Sequence, residues 1–173
     1  MKSDLGKVHV YTGDGKGKTT ASLGLALRAI GAGYQVYIVQ FLKGQDYSEL
    51  TSLKPLKEIT LKRFGQKSFI IKKAKPTDIA LAKQGLAWAR RVIKSKKFDV
   101  VILDEIFLAV FFKMLKVSDL VSLIKIKPKN VELILTGRRA PAAVVALADY
   151  VTEMKEVKHP YKKGVVARRG IEN

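Results

Sequence analysis

Residues 12–20, Thr-Gly-Asp-Gly-Lys-Gly-Lys-Thr-Thr, constrain this chain more than any other stretch. They join a short apolar strand, Val8-His9-Val10-Tyr11, to a segment carrying Leu23, Leu27 and Ile30 at helical spacing. A strand that turns through glycines into a helix start is a cradle for a polyphosphate. Gly13, Gly15 and Gly17 open backbone angles closed to other residues, so that successive N–H groups point inward at phosphate oxygens. The helix N-terminus adds partial positive charge. Lys18 reaches the outer phosphates as a point charge, the Thr19 hydroxyl stands where a phosphate-bound Mg²⁺ (or Mn²⁺) is ligated, and Thr20 adds a further phosphate contact. Thr12, Asp14 and Lys16 complete the expected nucleotide-binding loop, although the strict Walker A pattern has glycine in place of Thr12. A glycine-rich turn in a polar linker would explain neither Lys18-Thr19 at the helix start nor the apolar flanks.

The segments 7–11, 35–41, 99–103, 131–135 and 149–154 read as strands, with one more short strand at 59–63. Helical patterns fall between them at 19–32, ended by Gly31-Ala32-Gly33, and at 77–94, with Thr77 as N-cap after Pro76. Shorter ones lie at 118–126 and 141–147. Strands alternating with helices predict an α/β fold: a P-loop (RecA-like) three-layer domain around a mainly parallel central sheet. The 173 residues, 47% hydrophobic, suit a single domain spanning 1–173. Residues 44–76 are the least regular, which is where a substrate-binding loop is expected.

Composition excludes several classes. With no cysteine there is no disulfide scaffold, thiolate chemistry or cysteine-ligated zinc. The apolar runs are strand-sized, so no membrane span is expected, and the short polar start argues for a cytoplasmic location. A net charge of +18 raises nucleic acid as a partner. The lysines are nevertheless scattered through 54–75, 94–97, 113–129 and 155–163 without a nucleic-acid module, which favours a solvated basic surface.

The second half of the site is Val100-Val101-Ile102-Leu103-Asp104-Glu105, a hydrophobic strand ending in two carboxylates. In a doubly wound sheet these project beside Lys18 and Thr19. Thr19, Asp104 and Glu105 are then candidate metal ligands, with Glu105 also able to orient a reacting group. Arg138, after the strand ending Leu135-Thr136-Gly137, is a candidate clamp on phosphate or leaving group, whereas Arg139 is a surface residue. Arg28 either turns back toward phosphate or makes a surface ion pair. His9 reads as a satisfied core histidine and Trp88 as core packing, while the role of His159 stays open. Phe64 and Phe69 flank Gly65 and either pack a flat ligand or form a small apolar cluster.

Further segments narrow the chemistry: Val39-Gln40-Phe41-Leu42-Lys43-Gly44, Leu103-Asp104-Glu105, Leu135-Thr136-Gly137-Arg138, Ala148-Asp149-Tyr150-Val151-Thr152-Glu153-Met154 and Lys158-His159-Pro160-Tyr161. With the 12–20 loop and Arg28-Ala29-Ile30-Gly31, they resemble the ATP:corrinoid adenosyltransferase family of the CobA/CobO type, in the family's order across 8–172. The resemblance implies that a reduced Co(I) corrinoid attacks the 5′ carbon of ATP and expels triphosphate. It implies Mg²⁺ or Mn²⁺, ATP and corrinoid as substrates, an electron donor such as a flavoprotein, and a homodimer. Lys18, Glu105 and Arg138 would be catalytic, Thr12 to Thr20 and Arg28 would hold ATP, and Phe69 would shape the corrinoid pocket. Two other functions share the loop: a RecA-like NTPase in which Glu105 activates water, and an ATP-gated binding protein or corrinoid carrier.

Overall fold

The computed structural model describes residues 4–68, 70 and 73–172. The strands are β1 (Val8–Thr12), β2 (Val36–Phe41), β3 (Ile59–Phe64), β4 (Val100–Asp104), β5 (Glu132–Thr136) and β6 (Tyr150–Glu153). The helices are α1 (Lys18–Gly31), α2 (Ser48–Leu53), α3 (Pro76–Ser95), α4 (Ile106–Phe111), α5 (Val117–Ile126) and α6 (Ala142–Val145), followed by a 3₁₀ turn at Pro160–Lys163. The strands form one sheet in the order β3-β2-β4-β5-β1-β6, and every neighbouring pair is parallel. The expected mainly parallel sheet is thus wholly parallel, and the short strand expected at 59–63 forms its far edge.

Strands β2 and β4 are buried at every position, as parallel strands covered on both faces must be. Alternation sorts their side chains into two layers. Val39, Phe41, Val101, Leu103, Leu133 and Leu135 face α3, α4 and α5, whereas Ile38, Val100, Ile102 and Ile134 meet Ala26 and Ala29 of α1. Each large aliphatic side chain contributes about 1.5–3 kcal/mol on leaving water, so these layers hold the sheet flat against its helices.

One local expectation changes and two short helices are added. Helix α3 starts at Pro76 with Lys75, not Thr77, as N-cap, because Asp78 Oδ2 accepts the Lys75 N–H at 2.9 Å. Thr77 lies in the first turn, where its hydroxyl pairs with Gln66 Nε2. Helices α2 and α4 carry no signal of their own: α4 reads Ile-Phe-Leu-Ala-Val-Phe, apolar on every side, and Glu105 at φ 60 turns the chain straight from β4 into it.

The N-terminal edge of the sheet is pinned by Glu132. Its Oε2 accepts from the Gly6 and Lys7 N–H groups at 2.6 and 2.7 Å, and its Oε1 pairs with His9 Nε2 at 2.6 Å. His9 also stacks on Tyr150, with ring centroids 4.6 Å apart, and is the satisfied histidine expected. Trp88 likewise packs against the sheet and donates Nε1–H to the Tyr37 hydroxyl. At the opposite edge, the C-terminal ends of the strands bring the 13–17 loop, Lys43, Glu105 and Gly137-Arg138 together, the edge at which α/β sheets bind ligands. Among the described residues no helix is long and apolar enough to cross a membrane.

Candidate active site

The glycine loop leaves β1 at Thr12 and enters α1 at Lys18. Gly13 (φ 95) and Gly17 (φ 116) adopt the left-handed conformation that favours glycine, but Gly15 does not. Gly15 is required for close approach instead: a Cβ there would lie 2.6 Å from Met154 O. That carbonyl accepts the Gly15 N–H at 2.7 Å, and Met154 N–H donates to Thr12 O at 2.8 Å, so the end of β6 is sewn to the loop. The Thr12 side chain is also occupied, its Oγ1 accepting the Ala140 N–H at 3.1 Å. Its residue type therefore ties β1 to the chain after β5.

Lys18 is 7% exposed and its Nζ donates to Gly13 O and Gly15 O, both at 2.7 Å. Burial lowers its pKa, opposed chiefly by the Glu105 charge. With no acidic residue in the first turn of α1, the partial charge of that helix start is left for an anion. Asp14 and Arg138 lie opposite each other, 3.6 Å apart and both exposed, a pair worth at most about 1 kcal/mol and easily opened. Lys16 Nζ pairs with Glu172 Oε1 at 3.0 Å, which brings the C-terminal segment over the loop. Thr20 is exposed at the cleft rim.

Asp104 is 1% exposed and is the hub of the carboxylate half. Its Oδ1 accepts from the Thr19 and Thr136 hydroxyls at 2.9 and 2.7 Å, and its Oδ2 from Lys43 Nζ at 2.8 Å and Gln40 Nε2 at 3.3 Å. Glu105 sits beside it, its N–H donating to Thr136 Oγ1 at 3.0 Å. Burial first, then the Asp104 charge, raises the Glu105 pKa against the pull of Lys43, Lys18 and Arg138. Glu105 Oε2 is buried with no hydrogen-bond partner among the described residues. Of the three expected metal ligands, then, Thr19 and Asp104 bond each other, and Glu105 offers an oxygen with no hydrogen bond among the described residues. That orphaned carboxylate oxygen, on a residue that lines the loop cleft together with Thr19, fits a hard cation, whereas Asp104 has its acceptor sites filled. Among the described residues no cluster of three or more His, Asp or Glu side chains takes a metal-binding arrangement.

Two clefts meet at this edge. One, about 260 Å³, lies over the loop between Lys18, Thr19, Arg138 and His159. The other, about 390 Å³, is walled by Phe41, Phe64, Leu108, Phe111, Phe112 and Met114, with Tyr47 and Arg139 at its margin. Asp14, Glu105 and Arg138 line both. Arg139 is exposed, as expected, and its guanidinium also lies 4.2 Å from the Phe111 ring centroid. Gly65, Gln66, Ser68 and Ile70, within the irregular stretch 44–76, line the apolar cleft. Phe69 falls outside the described residues. Arg28 lies in the last turn of α1, exposed and away from both clefts.

Lys43, Gln40 and Thr136 carry no role in the sequence reading, yet they complete the site. The available signal was a glutamine inside the otherwise apolar strand Val-Tyr-Ile-Val-Gln-Phe, since a buried polar side chain must find partners.

A family model described as ATP:corrinoid adenosyltransferase BtuR/CobO/CobP matches residues 4–173. A corrinoid adenosyltransferase of Sinorhizobium sp is 33% identical to this chain over 179 residues, covering 98% of the chain and 81% of the relative. The corrinoid adenosyltransferase of Escherichia coli (strain K12) is 32% identical over 171 residues, covering 99% of the chain and 87% of the relative. Corrinoid adenosyltransferase CobA of Salmonella typhimurium is 31% identical, with the same coverage.

Proposed function

The chain belongs to the ATP:corrinoid adenosyltransferase family, and we propose that it transfers the 5′-deoxyadenosyl group of ATP to the cobalt of a Co(I) corrinoid, releasing triphosphate. The observation that carries this is the pair of adjoining clefts: a polar one at a helix start, and a larger aromatic one, with Glu105 and Arg138 on their shared wall. A polyphosphate suits the first and the face of a flat macrocycle the second, so the 5′ carbon of ATP, joined to the triphosphate, would lie at the junction where cobalt can reach it. We read the fold as RecA-like because a single strand, β5, separates the loop strand β1 from the carboxylate strand β4.

In this reaction cobalt supplies both electrons of the new cobalt–carbon bond and goes from Co(I) to Co(III), while the C5′–oxygen bond breaks with its electron pair on triphosphate. No side-chain nucleophile is needed. The loop N–H groups, Lys18 and Arg138 stabilise the charge that gathers on the leaving group, and the clefts hold carbon and cobalt in line. Mg²⁺ or Mn²⁺, held by Thr19 and Glu105, would neutralise part of the triphosphate charge. The aromatic wall excludes water from the reduced cobalt. A one-electron donor such as a flavoprotein supplies Co(I) from Co(II), and we expect a homodimer in a cytoplasmic setting.

Protein mixed with ATP, Mg²⁺ and chemically reduced corrinoid is expected to yield adenosylcorrinoid and intact triphosphate. ADP and phosphate would overturn the proposal in favour of an NTPase, and unchanged ATP in favour of a binding protein.

A further inference from the structure

Asp104 has no acceptor site to spare. A carboxylate offers about four, and Thr19, Thr136, Lys43 and Gln40 fill them. Among these donors Lys43 brings the balancing charge. Its side chain is 12% exposed, and its ammonium lies 2.8 Å from Asp104 Oδ2 and 3.7 Å from Glu49 Oε1. It also donates to Thr19 Oγ1 at 3.2 Å. A cation therefore already stands between the strand-end carboxylate and the hydroxyl that follows Lys18.

We propose that Lys43 is a positioning residue: a built-in cation that fixes Asp104 and the Thr19 hydroxyl and keeps divalent ions off Asp104. A metal accompanying the nucleotide is then carried by Glu105, Thr19 and the phosphates. The Thr19 hydroxyl gives its proton to Asp104 and one lone pair to Lys43, which leaves one lone pair for the ligand side. Glu105 Oε2, by contrast, is buried and unpaired among the described residues.

The backbone is built to deliver Lys43 there. Leu42, at φ 58, turns the chain sharply as it leaves β2. A Cβ on Gly65 would stand 2.4 Å from Lys43 N, and one on Gly44 would stand 2.3 Å from Gln66 C. The loops after β2 and β3 thus interlock backbone to backbone, and Lys43 has little freedom to swing away. Burial disfavours its charge, but Asp104, then Glu49 and Glu105, outweigh that and hold its pKa above the ordinary lysine value.

The proposal rests on reading the 13–20 loop as a triphosphate site, but its test needs neither ATP nor corrinoid. Mn²⁺ binding to the nucleotide-free protein is followed by electron paramagnetic resonance. Lys43→Met is expected to bind Mn²⁺ at least about tenfold more tightly than wild type, because a positive charge a few ångströms away is gone and Asp104 Oδ2 is released. Adding Asp104→Asn to that variant is expected to abolish the gain. Unchanged affinity in Lys43→Met, or a gain that survives Asp104→Asn, overturns the proposal. Should Lys43→Met fail to fold, Lys43→Gln, which loses the charge but keeps a hydrogen-bond donor near Asp104, takes its place with the same two deciding outcomes. Failure of the adenosyl-transfer assay would leave these outcomes intact.

Discussion

Lys18 holds two carbonyls of its own loop, so its ammonium sits at the point toward which the loop curves. Replacing it with alanine removes a charge from the leaving-group side and both internal hydrogen bonds. A hydrogen bond to a charged group is worth about 1.5–3 kcal/mol, so ATP affinity should fall roughly 10- to 100-fold, read by calorimetry. Relief from burying an ammonium offsets much of the lost internal bonding. We therefore expect the melting temperature to drop by no more than about 4 °C, the equivalent of about 1 kcal/mol at this chain length. Unaltered ATP affinity in the folded variant would remove Lys18 from the phosphate site. Lys18, Thr19, Asp104 and Glu105 were legible in the sequence because a glycine loop and a strand-end carboxylate pair have fixed spacing and fixed surroundings. Lys43 and Thr136 were not. Their roles depend on four donors from separate elements converging on one carboxylate, and no local pattern records that. Arg139 was read as an exposed residue and is one, but its contact with Phe111 on another element left no local signal.

At the scale of elements, the central strands β2 and β4 were the most legible, because a covered parallel sheet demands unbroken apolar runs. The short helices α2 and α4 were hidden: six residues cannot display a helical period, and α4 has no polar face to reveal one. Helix α3 was placed correctly but its cap was not, because Lys75 is not a typical capping residue and the Asp78 side chain does the work from inside the helix. Two glycines show what packing adds to such a reading. Gly65→Ala drives a Cβ into the Leu42 and Lys43 backbone, 2.5 and 2.4 Å away, where no flexible side chain can yield. We expect a loss of about 2–4 kcal/mol in denaturant unfolding, with the loops after β2 and β3 forced apart. Gly24→Ala, inside α1 with nothing within 4 Å of the new Cβ, should instead stabilise by up to about 1 kcal/mol. Equal effects from the two substitutions would contradict the interlock.

At the scale of the whole molecule, one response to acid runs through Glu132, which ties the first described residues, β1 and β5 together. Burial alone would raise its pKa, but the bonds from His9, Gly6 and Lys7 outweigh burial and depress it. Its contribution to stability is therefore present above the ordinary glutamate value of about 4.3 and is lost as pH falls through the lower folded-state value. Glu132→Gln should lower stability near neutrality by about 1–3 kcal/mol and flatten the decline below about pH 4, as read from urea midpoints across pH. Parallel curves for the two proteins would show that the acid limb arises elsewhere. The α/β layering around a parallel sheet was readable because strand and helix patterns alternate along the chain. The seam at Met154 was not, since two backbones meeting leave no trace in side-chain pattern. That seam has a bearing on synthesis. The glycine loop leaves the ribosome before β6 does, but the carbonyl that receives the Gly15 N–H belongs to residue 154. Because chains are made N-terminus first, the earliest part of this site to be translated waits for almost the last before it can close.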